Sequence, residues 1–447
     1  TFISLRYARN LIDGHGLVYN LGERVEGFSN FSWVMISACL MVIGAPVITT
    51  LKLVSLACGV GAILLTFDLS RSLFDGRSER TLRVIVSVSI LCLSTSFAIW
   101  TQGGLETEFF AFALVAMAWA FERELRQNRS FVMSSILFVL AWLTRPEAPV
   151  YGLYLLVRRI ITLRVRPVDR RDVIASGLMA VAIGAYEIWG LWYYGKLLPN
   201  THLAKVGAVD VGGFAERIWD LIHQPLLGSF FASQGLGWAF LLALGLFGLF
   251  VRMRSAPLAV WLPALSGLIF ILYAQNDWMP RYRLFVPILP FIALLIGHGI
   301  GESVALARQF DGGRAILLIV LAAAGLENWH HQMFAGHANR LGYFVGRERA
   351  PRSWWLLDVP GQLSKRDYPL ERTALMMLQN LPEYETMCLR DLGFPGYLCM
   401  NPVWDTDGLM TPAVARARHD PSTEAADAMF QQLLDVKPGC IYLVIPQ

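Results

Sequence analysis

The 447 residues are 55% hydrophobic and only 16% charged, with a mean hydropathy of +0.48. That balance excludes an ordinary soluble globular domain and marks an integral membrane protein. The formal charge of +4 is too small to imply nucleic acid as a partner, so the arginines matter through their placement.

Residues 1–33, TFISLRYARNLIDGHGLVYNLGERVEGFSNFSW, are polar and turn-rich ahead of an almost continuous apolar chain. A loop of this kind outside a multispanning protein is normally delivered by a preceding span, so a further N-terminal helix is predicted. Arg6-Tyr7-Ala8-Arg9-Asn10 reads as one helical stretch, with Arg6 about a turn from Arg9. Two planar guanidinium forks on such a stretch suit a phosphate; the alternatives are headgroup contact and pairing with Glu23 or Glu26. His15, in the turn Asp13-Gly14-His15-Gly16, is a candidate acceptor or phosphate contact, or simply a turn residue. In Gly22-Glu23-Arg24-Val25-Glu26-Gly27-Phe28-Ser29-Asn30, Glu26 is a candidate base or metal ligand, with pairing to Arg24 or Arg9 as the alternative. Asn30 is a candidate substrate contact.

Apolar runs follow at 31–45, 53–73, 84–100, 109–121, 131–143, 148–160, 173–194, 226–251, 257–274, 284–303 and 314–329. Several fall short of the ~20 residues that a span prefers. Loops 71–83, 122–130 and 158–172 are rich in arginine, and the connectors add Arg252, Arg254, Arg308 and Arg314. With each run from 53 onward counted as one crossing, all of these fall on one side, which the positive-inside rule makes cytoplasmic. The run 31–45 is short for a span and suits an interfacial or re-entrant helix, which leaves 1–52 outside. The expected division is an external segment 1–52, a transmembrane helical domain 53–329 of about ten spans, and an extracytoplasmic domain 330–447.

The external breaks carry the remaining candidates. Gln102-Gly103-Gly104-Leu105-Glu106-Thr107-Glu108 places Glu106 at a helix start, where the dipole favours a carboxylate, but an ionisable group at membrane depth is also a functional candidate. Leu143-Thr144-Arg145-Pro146-Glu147 reads mainly as capping and an Arg–Glu pair. In Tyr193-Tyr194-Gly195-Lys196-Leu197-Leu198-Pro199-Asn200-Thr201-His202-Leu203-Ala204-Lys205, Tyr194 offers a face for a sugar ring, and Asn200, His202 and Lys205 offer donors; membrane anchoring is the alternative. Asn276-Asp277-Trp278-Met279-Pro280-Arg281-Tyr282-Arg283 puts an acid, an aromatic and two arginines between strong spans.

Residues 330–447 change to a mixture of short apolar pieces with Pro, Asp, Glu and Arg. Strands are predicted at Glu385–Leu392 and Cys440–Pro446, and helices at Leu370–Asn380 and Thr423–Leu434, which makes a small α/β exported domain. A Cys388–Cys399 bridge is one option if this tail is exported. Asp405-Thr406-Asp407-Gly408 is either an ion or glycan site or an acid-Gly turn. His330, His331 and His337 lack the rest of a metal set.

The opening segment, then GGLETEFF, LTRPEA, YYGKLLPNTHLAKVG, NDWMPRYRLFVPILP and WDTDGLMTP, resembles in order the bacterial multispanning GT-C glycosyltransferases, most closely the terminal arabinofuranosyltransferase type. The likeness covers nearly the whole chain and is looser in the tail. It implies a mainly α, polytopic helical membrane protein of the bacterial inner membrane, with its active face extracytoplasmic and a small C-terminal α/β domain. It further implies a polyprenyl-phosphate sugar donor, an acceptor hydroxyl on an envelope glycan or lipid, and inversion at the anomeric carbon. In that family an acidic pair containing the proposed base lies just before the stretch matched by Thr1-Phe2-Ile3-Ser4, so this chain alone is expected to be inactive. Arg6, Arg9, Lys205, Arg281 and Arg283 become the phosphate candidates. Glu26, Glu106 and Asp277 are the acidic candidates for positioning the acceptor or a divalent metal, the metal requirement being open. His15, Asn30, Tyr194, Asn200, His202 and Trp278 are the substrate-contact candidates.

Overall fold

The computed structural model describes residues 2–163, 168–196, 198–206, 236–252, 256–274, 282–330, 381–382, 385–389, 392–419, 423–438 and 440–442. The polar opening segment forms α1 (Phe2–Ile12), which packs on α2 (Phe31–Val42). Helix α1 buries Leu5, Tyr7 and Ala8 and stops at the Asp13–Gly16 turn, where Gly14 and Gly16 take positive φ. A Cβ on Gly16 would also run into the Tyr193 hydroxyl.

The body follows as α3 (Val47–Leu73), α4 (Arg80–Leu93), α5 (Thr95–Trp100), α6 (Glu106–Arg126), α7 (Val132–Thr144), α8 (Ala148–Thr162), α9 (Arg170–Tyr194) and α10 (Asn200–Val206). After these come α11 (Leu236–Val251), α12 (Leu258–Ala274), a 3-10 turn (Arg283–Ile288), α13 (Leu289–Ala307) and α14 (Gly313–His330). Among the described residues, three helices are long and apolar enough to cross a bilayer unaided: Val47–Leu73, Arg170–Tyr194 and Arg283–Ala307. Their burial separates them, since 89% of the apolar window of the last is inside the protein against 28% and 6% for the other two. Helix α13 is therefore the central post, and α9 lies at the edge with Leu178, Val181, Ile188 and Trp192 exposed, as a lipid-facing helix requires.

Small residues let the post be approached closely. A Cβ on Gly248 of α11 would meet the Gly299 carbonyl of α13, and one on Gly299 would meet the Gly245 backbone. Helices packed in lipid gain their contact this way, because apolar surface alone does not favour helix over lipid. The predicted run 84–100 is two helices rather than one. Ser94 is extended (φ −72, ψ 113) between them, and its Oγ accepts from the Phe97 N–H to cap α5.

The C-terminal unit is a three-stranded parallel sheet of β1 (Met387–Leu389), β2 (Val403–Asp405) and β3 (Cys440–Tyr442), in the order β2-β1-β3. Parallel neighbours need crossovers, supplied by α15 (Phe394–Cys399) and then by α16 (Pro412–His419) with α17 (Thr423–Val436). The predicted strand 385–392 is shorter than expected, β2 was not anticipated, and 370–380 and 443–446 lie outside the described residues. No disulfide joins Cys388 and Cys399. Strand alternation explains this: Met387 and Leu389 face the cluster that holds Cys399, whereas Cys388 points to the opposite face with Trp404 and Val414.

Candidate functional site

Four segments distant in sequence meet at the first turn of α6. Gly104 takes a positive φ against Lys52 and Leu105 is extended, which delivers Glu106 to the start of the helix. The residue before a proline is driven to extended backbone. Arg145, preceding Pro146, adopts φ −154 and ψ 136, which ends α7 and turns its side chain away from the helix. Its guanidinium donates to Glu106 Oε1 at 2.8 Å and also pairs with Glu147. The second oxygen, Glu106 Oε2, accepts from Asn30 Nδ2 at 3.0 Å, and Asn30 exchanges hydrogen bonds with Ser4 of α1. Arg283, at the head of the 3-10 turn, is within electrostatic reach of Glu106. Glu106, Arg145, Glu147, Asn30 and Arg283 are all at least nine-tenths buried.

Two residues on, Glu108 is fully buried, and neither carboxyl oxygen has a hydrogen-bond partner among the described residues. The other two glutamates of α6 are also buried but are served: Glu122 by Tyr154 Oη and Arg158, Glu124 by Ser134 Oγ and the Met133 N–H.

Glu26 forms a second acidic position on the same opening segment. Tyr7 Oη donates to the Val25 carbonyl and accepts from the Gly27 N–H, which fixes the backbone on either side. The Glu26 carboxylate accepts from Tyr186 Oη at 3.3 Å. Burial pushes its carboxyl up to about 7, with the Tyr186 hydrogen bond opposing and nearby Glu187 adding to the rise. Its charge therefore changes near neutral pH.

Several predicted ligand contacts are packing contacts. Arg6 is 1% exposed and stacks on the Tyr19 ring, with its donors on the carbonyls of Tyr19, Gly396, Met400 and Asn401 at 2.6–3.2 Å. Its fork ties α1 to the C-terminal unit and is not presented to a phosphate. Asn20 reinforces the same joint by exchanging hydrogen bonds with the Val403 backbone at the sheet edge. Tyr194 is buried among Phe28, Trp189 and Tyr193 and donates to the Leu17 carbonyl, so its ring is not open to a sugar. Asn200 donates to the Gly408 and Leu409 carbonyls and, through its backbone, to Glu26 O, which locks α10 between two loops. His202 sits 3.1 Å from Tyr273 Oη. The Asp405-Thr406-Asp407-Gly408 segment is a closed turn, with the Asp405 carboxylate accepting the Asp407 and Met410 N–H groups.

Arg9 and His15 remain at the surface, Arg9 beside Asp13 at 3.8 Å. Asp277, Trp278, Arg281 and the side chain of Lys205 lie outside the described residues. No group of three or more His, Cys, Asp or Glu side chains among the described residues is arranged to hold a metal. The structure thus joins Glu106, Asn30 and Arg283 from the predicted set. It adds Ser4, which no motif singled out, and Arg145 and Glu147, whose sequence signal was the Arg–Pro–Glu break that reads as capping and an Arg–Glu pair.

No family model matches the sequence. The chain is similar to terminal beta-(1->2)-arabinofuranosyltransferases. The protein from Mycobacterium tuberculosis is 28% identical over 46% of this chain and 34% of its own length. That from Corynebacterium glutamicum is 24% identical over 69% of this chain and 50% of its own length. The chain thus spans a third to a half of the curated relatives it matches. Among solved structures, the apo oligosaccharyltransferase of Archaeoglobus fulgidus superposes with a TM-score of 0.51 at 14% identity, covering 97% of this chain and 64% of that one. AglB of the same organism, in complex with an inhibitory peptide and a dolichol-phosphate, gives 0.50 at 13% identity over the same shares. At such identities the likeness is one of fold, and the fold is that of the GT-C membrane proteins.

Proposed function

We propose that this chain, which has the GT-C fold, is the membrane-embedded part of a glycosyltransferase. It would move a sugar from a polyprenyl-phosphate donor to a hydroxyl of an envelope glycan or lipid, with inversion at the anomeric carbon. The observation that carries the reading is the buried Asn30–Glu106–Arg145 constellation, assembled where the polar opening segment meets the helical body. Similarity to the arabinofuranosyltransferases and the dolichol-phosphate in the AglB complex support the donor class.

In this reaction the acceptor oxygen attacks the anomeric carbon as a carboxylate removes its proton, and the lipid phosphate leaves with the bonding electrons. Cations fixed near the departing oxygen lower the barrier because they meet charge as it develops. Arg283, and Arg9 at the surface, are the proposed phosphate partners. Glu106 is the proposed positioning acid, held in place by Arg145 and Asn30. Glu26 is the second acid, suited by its titration near neutrality to exchange a proton. The proposed working face is extracytoplasmic in the bacterial inner membrane.

The test is transfer of radiolabel from a panel of polyprenyl-phosphate pentofuranose and hexose donors into envelope glycan, with membranes from cells expressing the full gene. Label incorporation from one donor supports the reading. Movement of labelled lipid-linked sugar across vesicles, with no transfer from any donor, would replace it with a transporter.

A further inference from the structure

The opposite end of the bundle carries a feature that glycosyl transfer does not use. Between the C-terminal ends of α3 and α6 and the start of α4 lies a cavity of about 290 Å³, lined by Arg71, Arg80, Arg123 and Arg126 against Asp68 and Asp75. The two acids are already engaged: Asp68 accepts the Trp119 indole N–H at 2.7 Å, and Asp75 pairs with Arg80 at 3.0 Å. Arg126 donates to the Ser72 carbonyl. Arg71 and Arg123 lie over the Phe67 and Trp119 rings, are exposed, and have no ion-pair partner among the described residues. The cavity thus keeps a surplus of cationic forks with a shape suited to phosphate oxygens.

A second observation leads into it. Leu53, Leu56, Val60, Leu64 and Phe67 of α3 are all at least 41% exposed. Their spacing puts them in one stripe, and Arg71 is the next position of that stripe. From Val60 to Arg71 the helix rises about 16 Å, roughly half the hydrocarbon thickness of a bilayer. A free anion has no use for such a stripe, whereas a lipid acyl chain does.

We propose that this cavity binds the phosphate headgroup of an anionic phospholipid whose acyl chain lies along the outer stripe of α3. Basic pockets between spanning helices take acidic headgroups by this combination of charge and apolar flank. The site is at the far end of α6 from Glu106 and independent of the reaction there.

Native mass spectrometry of the detergent-solubilised full chain, offered phosphatidylglycerol and phosphatidylcholine in equal amounts, tests it. One phosphatidylglycerol should be retained per chain with at least about tenfold preference. The preference should vanish in Arg71→Gln/Arg123→Gln and persist in Arg170→Gln/Arg171→Gln, which removes equal charge from the exposed start of α9. Both changed pairs are exposed, and the thermal midpoint without lipid verifies that each variant folds. Three results would overturn the proposal: undiminished retention in Arg71→Gln/Arg123→Gln, equal loss in both double variants, or displacement of the lipid by millimolar inorganic phosphate, which would mark a soluble-anion site.

Discussion

The two ends of α6 use the same residue types to opposite effect. At its start, Glu106 is buried and held by Arg145 and Asn30; at its end, Arg123 and Arg126 stand exposed with carboxylates outnumbered. Acids in the first turn and bases in the last complement the helix dipole, so local electrostatics alone accounts for both. What separates them is desolvation. A buried pair is rigid and costly to break, whereas an exposed arginine contributes little to stability and stays available to a ligand.

The largest expected effect tests that contrast directly. Arg145→Ala removes the hydrogen-bonded cation that Glu106 and Glu147 share and should destabilise the solubilised protein by about 3–5 kcal/mol, read by chemical or thermal unfolding. Arg6→Ala should follow closely, at about 3 kcal/mol, because it takes the guanidinium donor from the buried Gly396 and Asn401 carbonyls, whereas the Tyr19 carbonyl keeps Asn10. It should also make the loop before β2 a new site of limited proteolysis while leaving the helical body resistant.

Glu26 supplies a pH-dependent test. Its folded-state value is raised from 4.5 to about 7, so the folded protein holds a proton that the unfolded chain has released between those values. Its contribution to stability is therefore present in full below about pH 4.5, declines as pH rises towards 7, and is gone above it. Unfolding midpoints measured from pH 4 to 8 should show this decline, and Glu26→Gln should flatten it. Arg123→Gln, at the exposed end of α6, should change lipid-free stability by no more than about 0.5 kcal/mol. A loss comparable to that of Arg145→Ala would erase the distinction between the two ends.

The helical body was legible because apolar runs in a chain of this hydropathy have few other structures open to them, and most predicted runs coincide with helices. Ser94 shows the limit: its small polar side chain breaks 84–100 without interrupting hydrophobicity much. Short elements were harder. Strand β2 is three residues and exists only because β1 lies beside it. Glu106 stood out as an acid in a glycine-rich break, but its partners Asn30 and Arg145 are 76 and 39 residues away, and no local pattern encodes that meeting. The spacing of Arg6 to Arg9 suits a phosphate, a headgroup or a nearby glutamate, yet the fate of Arg6 is set by carbonyls up to 395 residues further on. Local sequence offers the charge, and the tertiary fold decides whether it is spent.

The most direct test of the central claim is sugar transfer by Glu106→Gln in membranes from cells expressing the full gene, beside wild type and Arg170→Gln. Glutamine keeps the shape and one acceptor oxygen while removing the charge, and folding is verified by retained expression and thermal midpoint. The account predicts a loss of about 10²-fold or more for Glu106→Gln and wild-type transfer for Arg170→Gln. Wild-type transfer by a folded Glu106→Gln would contradict it and move the site away from the start of α6.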